Sequence, residues 1–138
     1  MIFDTHCHLN SDELYPRIDE VIESANKAGV DRFLVVGWDK ESSLLAISIA
    51  KKYKCCYAAI GFHPCNIFDV SDKDFDDLMN LYSETKVVAI GEIGLDYHYT
   101  KDNKKEQQEL FIKQLNIAKE HNLPVIIHTR ESIQDCLD

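Results

Sequence analysis

Val87-Val88-Ala89-Ile90-Gly91-Glu92-Ile93-Gly94-Leu95-Asp96-Tyr97 is the stretch on which the fold of this chain turns. Its first four residues form a continuous apolar run rich in branched side chains. A run without polar alternation suits a strand buried on both faces, as in a parallel sheet. The run then breaks into glycine and a carboxylate. A carboxylate just past the C-terminal end of a parallel strand stands where ligands meet such sheets. Gly91 and Gly94 are expected to let the following loop turn tightly.

Working outward, the same kind of run recurs at Ile2-Phe3, Phe33-Leu34-Val35-Val36, Tyr57-Ala58-Ala59-Ile60 and Val125-Ile126-Ile127. Helical periodicity fills the intervals. Ile18, Val21, Ile22 and Ala25 form one stripe, and Gly29 stops it. The segment around Leu44 to Ala50 is apolar almost all round. Phe75, Leu78, Met79 and Tyr82 form a third stripe after Ser71, a candidate N-cap. Leu110, Phe111, Leu115 and Ala118 form a fourth, ending before Pro124. Strand and helix alternate four times and a fifth strand follows, which predicts parallel strands joined by right-handed crossovers.

The 138 residues, 45% of them hydrophobic, are enough for one domain with a real core. No apolar run approaches the ~20 residues of a membrane span, and Met1-Ile2-Phe3-Asp4 does not begin a secretory signal. Five cysteines, two of them adjacent, do not form a disulfide framework. They are expected to be small buried apolar groups in a reducing, cytoplasmic compartment. The net charge of -9 argues against a protein that grips nucleic acid over a broad basic face. It does not exclude a nucleic-acid enzyme whose positive charge comes from bound metal. The acidic run Asp69 to Asp77 reads as a solvated helix start.

Chemistry gathers at the strand ends. His6 and His8 follow the first strand, and residues i and i+2 of an extended segment project from one face, so both imidazoles can reach one ion while Cys7 points away. Asp4 is expected on that face too. Glu92 can bridge two cations through its two oxygens, and His128 ends the fifth strand. If those ends meet on one rim, His6, His8, Glu92 and His128 converge on one or two cations able to activate water. His63, after the third strand, reads as a substrate contact, a proton carrier or a structural histidine. Arg130 reads equally as a phosphate fork or as a surface partner of Glu131. Asp96 and Tyr97 either shape the same mouth or serve as turn and packing residues. Trp38 is expected to cover the end of the sheet rather than stack on a base, and His98 and His121 to lie on the surface.

Asp4-Thr5-His6-Cys7-His8-Leu9, Gly61-Phe62-His63-Pro64, Gly91 to Tyr97, and Leu123 to Arg130 closely resemble, in order and spacing, the motifs of the TatD family of metal-dependent deoxyribonucleases. Gln107 to Ala118 resembles the family's fourth helix, with Gln107 and Gln114 at matching positions. The resemblance covers the whole chain. It implies a (β/α) barrel of the amidohydrolase type holding two divalent cations, magnesium, manganese or zinc. His6 and His8 would hold one ion, His128 the other, and Glu92 would bridge both and help place the attacking water. His63 and Arg130 match positions that contact the substrate phosphate. The implied reaction is hydrolysis of DNA phosphodiester bonds, often from the 3′ end, on single strands or strand ends.

A full barrel of this kind needs at least ~200 residues. The family's further histidine on the next strand and its aspartate near the last strand have no counterpart among these residues. The expected structure is therefore an incomplete (β/α) barrel of about five parallel strands, residues 1–138 forming the N-terminal portion of one domain. The other half would come from the rest of a longer chain or from a partner, and the open edges favour self-association. Two further readings accompany this one: a non-catalytic remnant that binds metal or a partner, and an amide or ester hydrolase using the same metals.

Overall fold

A computed structural model describes all 138 residues, Met1 to Asp138. The strands are β1 (Ile2–Cys7), β2 (Val30–Val36), β3 (Cys56–Ile60), β4 (Val87–Asp96) and β5 (Val125–Arg130). The helices are α1 (Ile18–Lys27), α2 (Lys40–Lys52), α3 (Asp72–Met79), α4 (Lys104–Glu120) and α5 (Ile133–Leu137). Short 3-10 turns cover Tyr15–Arg17, Pro64–Asp69 and Asn80–Ser83. All neighbouring strands pair in parallel, in the order β1-β2-β3-β4-β5. Every strand therefore delivers its carboxyl end to one rim, as expected for an incomplete barrel. No helix is long and apolar enough to cross a membrane.

Alternation along β2 sorts its side chains onto two faces. Phe33 and Val35 pack with Ile60, Ile90 and Ile93 against the helices, beneath Ile22, Ile47, Leu78 and Leu110. Leu34 and Val36 join Ala59 and Ala89 on the opposite face. Burial on both faces holds for β2 towards its end, for β3 and for β4. It fails for β1 and β5. Ile2 is 55% and Ile127 47% exposed, because an outer strand lacks the second neighbour that would cover it.

The helix starts follow their side chains. Asp39 caps α2: its carboxylate accepts from the Ser42 N–H at 2.7 Å, while Ser42 Oγ accepts from the Asp39 N–H at 3.0 Å. Ser71 Oγ caps α3 through the Asp74 N–H at 3.0 Å. The acidic run is the expected helix start, its Asp74 and Asp77 paired with Lys40. The chain leaves α3 before Tyr82, which lies in the next turn and stacks on His121 with ring centroids 3.5 Å apart. His121 is thus a packing residue and not merely a surface one.

β4 corrects the sequence reading in one respect. It does not end at Ile90 but continues to Asp96, so Gly91 and Gly94 lie inside a strand and not in a turning loop. A Cβ on Gly91 would stand 2.6 Å from Ile126 Cβ, and one on Gly94, whose φ is +146°, would stand 1.9 Å from the His128 carbonyl oxygen. These glycines let β4 and β5 approach closely. The Gly94–His128 register that results is what brings the end of β5 against Glu92.

Candidate metal centre

The sequence-predicted ligands meet. Glu92, 9% exposed, stands at the centre. Its Oε2 lies 3.5 Å from His6 Nε2 and 3.9 Å from His8 Nε2, and its Oε1 lies 3.4 Å from His128 Nδ1. Two ligand atoms ~2.0–2.2 Å from one tetrahedral ion are themselves about 3.3–3.6 Å apart. The His6 and His128 separations match that spacing and the His8 one is slightly longer. His6, His8 and Glu92 form one candidate ligand group, and His63, Glu92 and His128 form a second.

For His8 and His128, the hydrogen bond on the far side of the ring settles which nitrogen is free. His8 Nδ1 lies 3.0 Å from the Val36 carbonyl oxygen, which only accepts. Nδ1 therefore carries the proton, and Nε2 keeps its lone pair towards Glu92. His128 Nε2 lies 2.9 Å from Asp96 Oδ2. Asp96 is buried, which pushes its carboxyl up, but hydrogen bonds from His128 and from the His98 N–H at 3.0 Å more than offset this, so the group stays below the usual carboxylate range. An ionised Asp96 makes His128 Nε2 the donor and leaves Nδ1 free to ligate. A carboxylate behind a histidine ligand fixes its tautomer and orientation. Asp96 is therefore a positioning residue, a choice the sequence left open.

His63 joins the same rim, with a ring nitrogen inside the second candidate ligand group. Its Nδ1 accepts from the Cys65 N–H at 3.1 Å, so the neutral ring carries its proton on Nε2. Burial first, and the neighbouring His128 second, hold its pKa below the ordinary histidine value, and the two rings lie 4.3 Å apart. A neutral donor beside the ligand cluster suits contact with a substrate oxygen. Arg130 projects from the end of β5 and does not pair with Glu131, which takes His98 at 3.0 Å instead. Its guanidinium is thus free of carboxylates. Asp4 does not join the cluster; its Oδ1 accepts from the His6 N–H at 3.1 Å. Cys7 turns aside to the Leu34 carbonyl. Trp38 meets His8 edge to face, with centroids 5.3 Å apart. Its carbonyl accepts from the His63 N–H at 2.8 Å, so it braces the site as well as covering it. The expectation of buried cysteines holds fully only for Cys56; Cys65 is exposed and the other three are half-buried.

Sequence reasoning gave no role to the residues that hold these segments in place. Gln114, fully buried on α4, accepts from the Phe62 N–H at 2.8 Å and donates to the Phe62 carbonyl at 3.0 Å. Gln107, seven residues earlier on the same helix, does the same for Asp96 at 2.8 and 2.9 Å. One helix thus clamps the backbones that carry His63 and Asp96. Two glutamines two turns apart on an otherwise apolar stripe were the available signal.

Comparison with known proteins places the chain in a family. The chain is 44% identical over 135 residues to the uncharacterized metal-dependent hydrolase YabD of Bacillus subtilis, covering 98% of this chain and 53% of that protein. It is 33% identical to the 3'-5' ssDNA/RNA exonuclease TatD of Shigella flexneri, over 95% of this chain and 50% of that one. The crystal structure of YjjV, a TatD homolog from Escherichia coli, superposes with a TM-score of 0.91 at 33% identity, covering 98% of this chain and 53% of that one. The chain spans about half the length of these relatives. The family model for TatD related DNase matches residues 3–138, and with a histidine–glutamate cluster at the carboxyl ends of parallel strands, the chain belongs to the TatD related DNase family.

Proposed function

We propose that residues 1–138 form the N-terminal portion of one (β/α)-barrel domain and carry the main metal-binding side of a hydrolase that cleaves phosphodiester bonds in DNA, on single strands or strand ends. The observation that carries this reading is the placement of three imidazole nitrogens within 4 Å of the two oxygens of one glutamate. His6, His8 and Glu92 would hold one divalent cation, and Glu92 and His128 a second; magnesium, manganese or zinc suits such donors. Bound there, the cations supply positive charge for the phosphate and lower the pKa of water.

The chain's own residues do the remaining work. Glu92 stands between the two histidine sets and fixes their spacing. His63 donates from Nε2 to a phosphoryl oxygen, since Nδ1 is already engaged. Arg130 forks onto the phosphate with a guanidinium that no carboxylate occupies. The net charge of -9 favours a short single strand held by local contacts over a duplex held along its length. The name of the Shigella relative, a 3'-5' ssDNA/RNA exonuclease, points the same way. The five free thiols suit a reducing, cytoplasmic compartment.

The test is incubation of the purified chain with manganese and a single-stranded oligonucleotide labelled at its 5′ end, with aryl ester and amide substrates in parallel. Stepwise shortening from the 3′ end, abolished by Glu92→Gln, is the expected result. Ester or amide turnover without oligonucleotide cleavage overturns the substrate assignment. The second reading is a chain that binds metal or a partner without turning anything over. It predicts metal uptake without hydrolysis at any metal concentration.

A further inference from the structure

One groove on the same rim shares Asp96 and Gln107 with the site, but its open space has no role so far. Its volume is about 240 Å³, and Pro64, Cys65, Phe68, Asp96, Tyr99 and Thr100 form most of its wall. Two of these residues are aromatic rings left in solvent. Phe68 is 80% and Tyr99 73% exposed, so neither contributes to the core. Both hang from segments that leave the site directly. Phe68 lies on the turn Pro64–Asp69 that follows His63, and Tyr99 comes just after Asp96 at the end of β4. The groove adjoins the metal centre through Asp96, whose Oδ2 lies 2.9 Å from His128 Nε2. The Arg130 guanidinium lies over the Tyr99 ring, 5.3 Å from its centroid, with Nη1 3.4 Å from the phenol oxygen.

We propose that this groove is a base-stacking subsite, taking one unpaired nucleobase of a single-stranded nucleic acid against Tyr99 and Phe68, with the attached phosphate directed to Arg130 and His63. The inference rests on the hydrolase reading above and narrows its substrate. Aromatic rings exposed beside a cation are the usual means of holding unpaired bases, because every base offers a flat face whatever its sequence. The volume equals about eight waters at ~30 Å³ each, room for one planar ring system and too little for a base pair. Charge suits this as well: Arg130, which has no carboxylate partner, lies against Tyr99, within reach of the phosphate of a base stacked there. A base inside a duplex is already stacked and cannot enter, so the subsite selects frayed ends and single strands.

The experiment is a fluorescence titration of the full chain, loaded with manganese, with a short oligonucleotide carrying 2-aminopurine at successive positions, and with the same oligonucleotide made abasic at the position that responds. One position is expected to lose fluorescence on binding, as a stacked base does. Removal of that base, Tyr99→Ala and Phe68→Ala are each expected to weaken binding by about 5- to 150-fold, the range that one base–aromatic stack covers. Tyr99→Phe should restore most of the loss, since it keeps the ring. Both positions are exposed, so the alanine variants should keep the wild-type unfolding midpoint. If the wild-type chain binds the oligonucleotide and the abasic strand and both alanine variants bind equally well, the subsite is overturned and the hydrolase reading stands. If the wild-type chain takes up manganese but binds no oligonucleotide, the nucleic-acid substrate itself is overturned and the subsite falls with it.

Discussion

Replacing Gln114 by alanine isolates what the α4 clamp contributes. Gln114 is fully buried, and its amide satisfies both the N–H and the C=O of Phe62, itself 2% exposed. Truncation leaves two buried backbone groups without those partners, at ~1–3 kcal/mol each. The vacated side-chain volume adds a smaller cost. The sum is about 3–6 kcal/mol, a large part of the ~5–15 kcal/mol that a domain of this size possesses. With a urea m-value of about 2 kcal/mol per molar, a loss of ~4 kcal/mol lowers the unfolding midpoint by roughly 2 M. Urea unfolding followed by far-ultraviolet circular dichroism measures this. Ile112→Ala on the exposed face of the same helix, where Ile112 is 56% exposed, serves as the control and should change stability by no more than ~0.5 kcal/mol. A Gln114→Ala midpoint within 0.25 M of wild type, about 0.5 kcal/mol at that m-value, would show that the clamp is not what holds Phe62, and the argument for how His63 is placed would fail with it.

Other substitutions probe neighbouring parts of the site. Gly94→Ala sets a Cβ 1.9 Å from the His128 carbonyl oxygen at φ +146°. It should cost about 2–6 kcal/mol in strain and overpacking and be visible as a large fall in thermal midpoint; an unchanged midpoint would refute the close approach of β4 and β5. Asp96→Ala removes the carboxylate behind His128 and should weaken manganese or zinc binding by about 10- to 100-fold in a calorimetric titration. Asp96→Asn should fall between the two, because its amide oxygen still accepts from Nε2; equal affinity for all three proteins would remove Asp96 from the positioning role. Burial pushes the Cys7 and Cys56 thiols up to about 12. At pH 8 only about one thiol in ten thousand is then thiolate, so both should escape iodoacetamide in the folded chain and react once it is unfolded, as peptide mapping would record.

The fold was legible because its signal is repetitive. Five branched runs, each followed by a helical stripe or the chain's last histidine, leave parallel pairing as the simplest arrangement, and parallel pairing carries every strand end to one rim. His6, His8, Glu92 and His128 were therefore legible as a set, although they are spread over more than a hundred residues. What was not legible depends on contacts that no local pattern encodes. The glycines of β4 read as a turn, since their purpose is set by how closely β5 approaches. Asp96 looked ambiguous because its role depends on the back of an imidazole from another strand. Gln107 and Gln114 gave only the hint of amides on an apolar stripe. The exposure of Ile2 on β1 and Ile127 on β5 is what the open edges of an incomplete barrel lead one to expect, although the apolar runs alone read as strands buried on both faces.

The contact between β1 and β4 shows what the sheet's shape does for the site. Adjacent strands lie about 4.8 Å apart, and β1 and β4 are separated by three such steps in the order of the sheet. Laid flat, their backbones would be ~14 Å apart, with side chains projecting nearly in parallel and unable to close the gap. Yet His6 Nε2 lies 3.5 Å from Glu92 Oε2. At the rim, moreover, the Glu92 N–H donates to the Gly37 carbonyl at 2.8 Å, joining the end of β2 to β4 across β3. Both contacts require a strongly curved sheet. The residues on the face opposite the helices allow it: Ala59 and Ala89 stand beside Val36 there, and small side chains give the inside of a bend the space it needs. A chain covering five strands therefore already holds the arc of a barrel, and that arc turns four separated motifs into one cluster around Glu92.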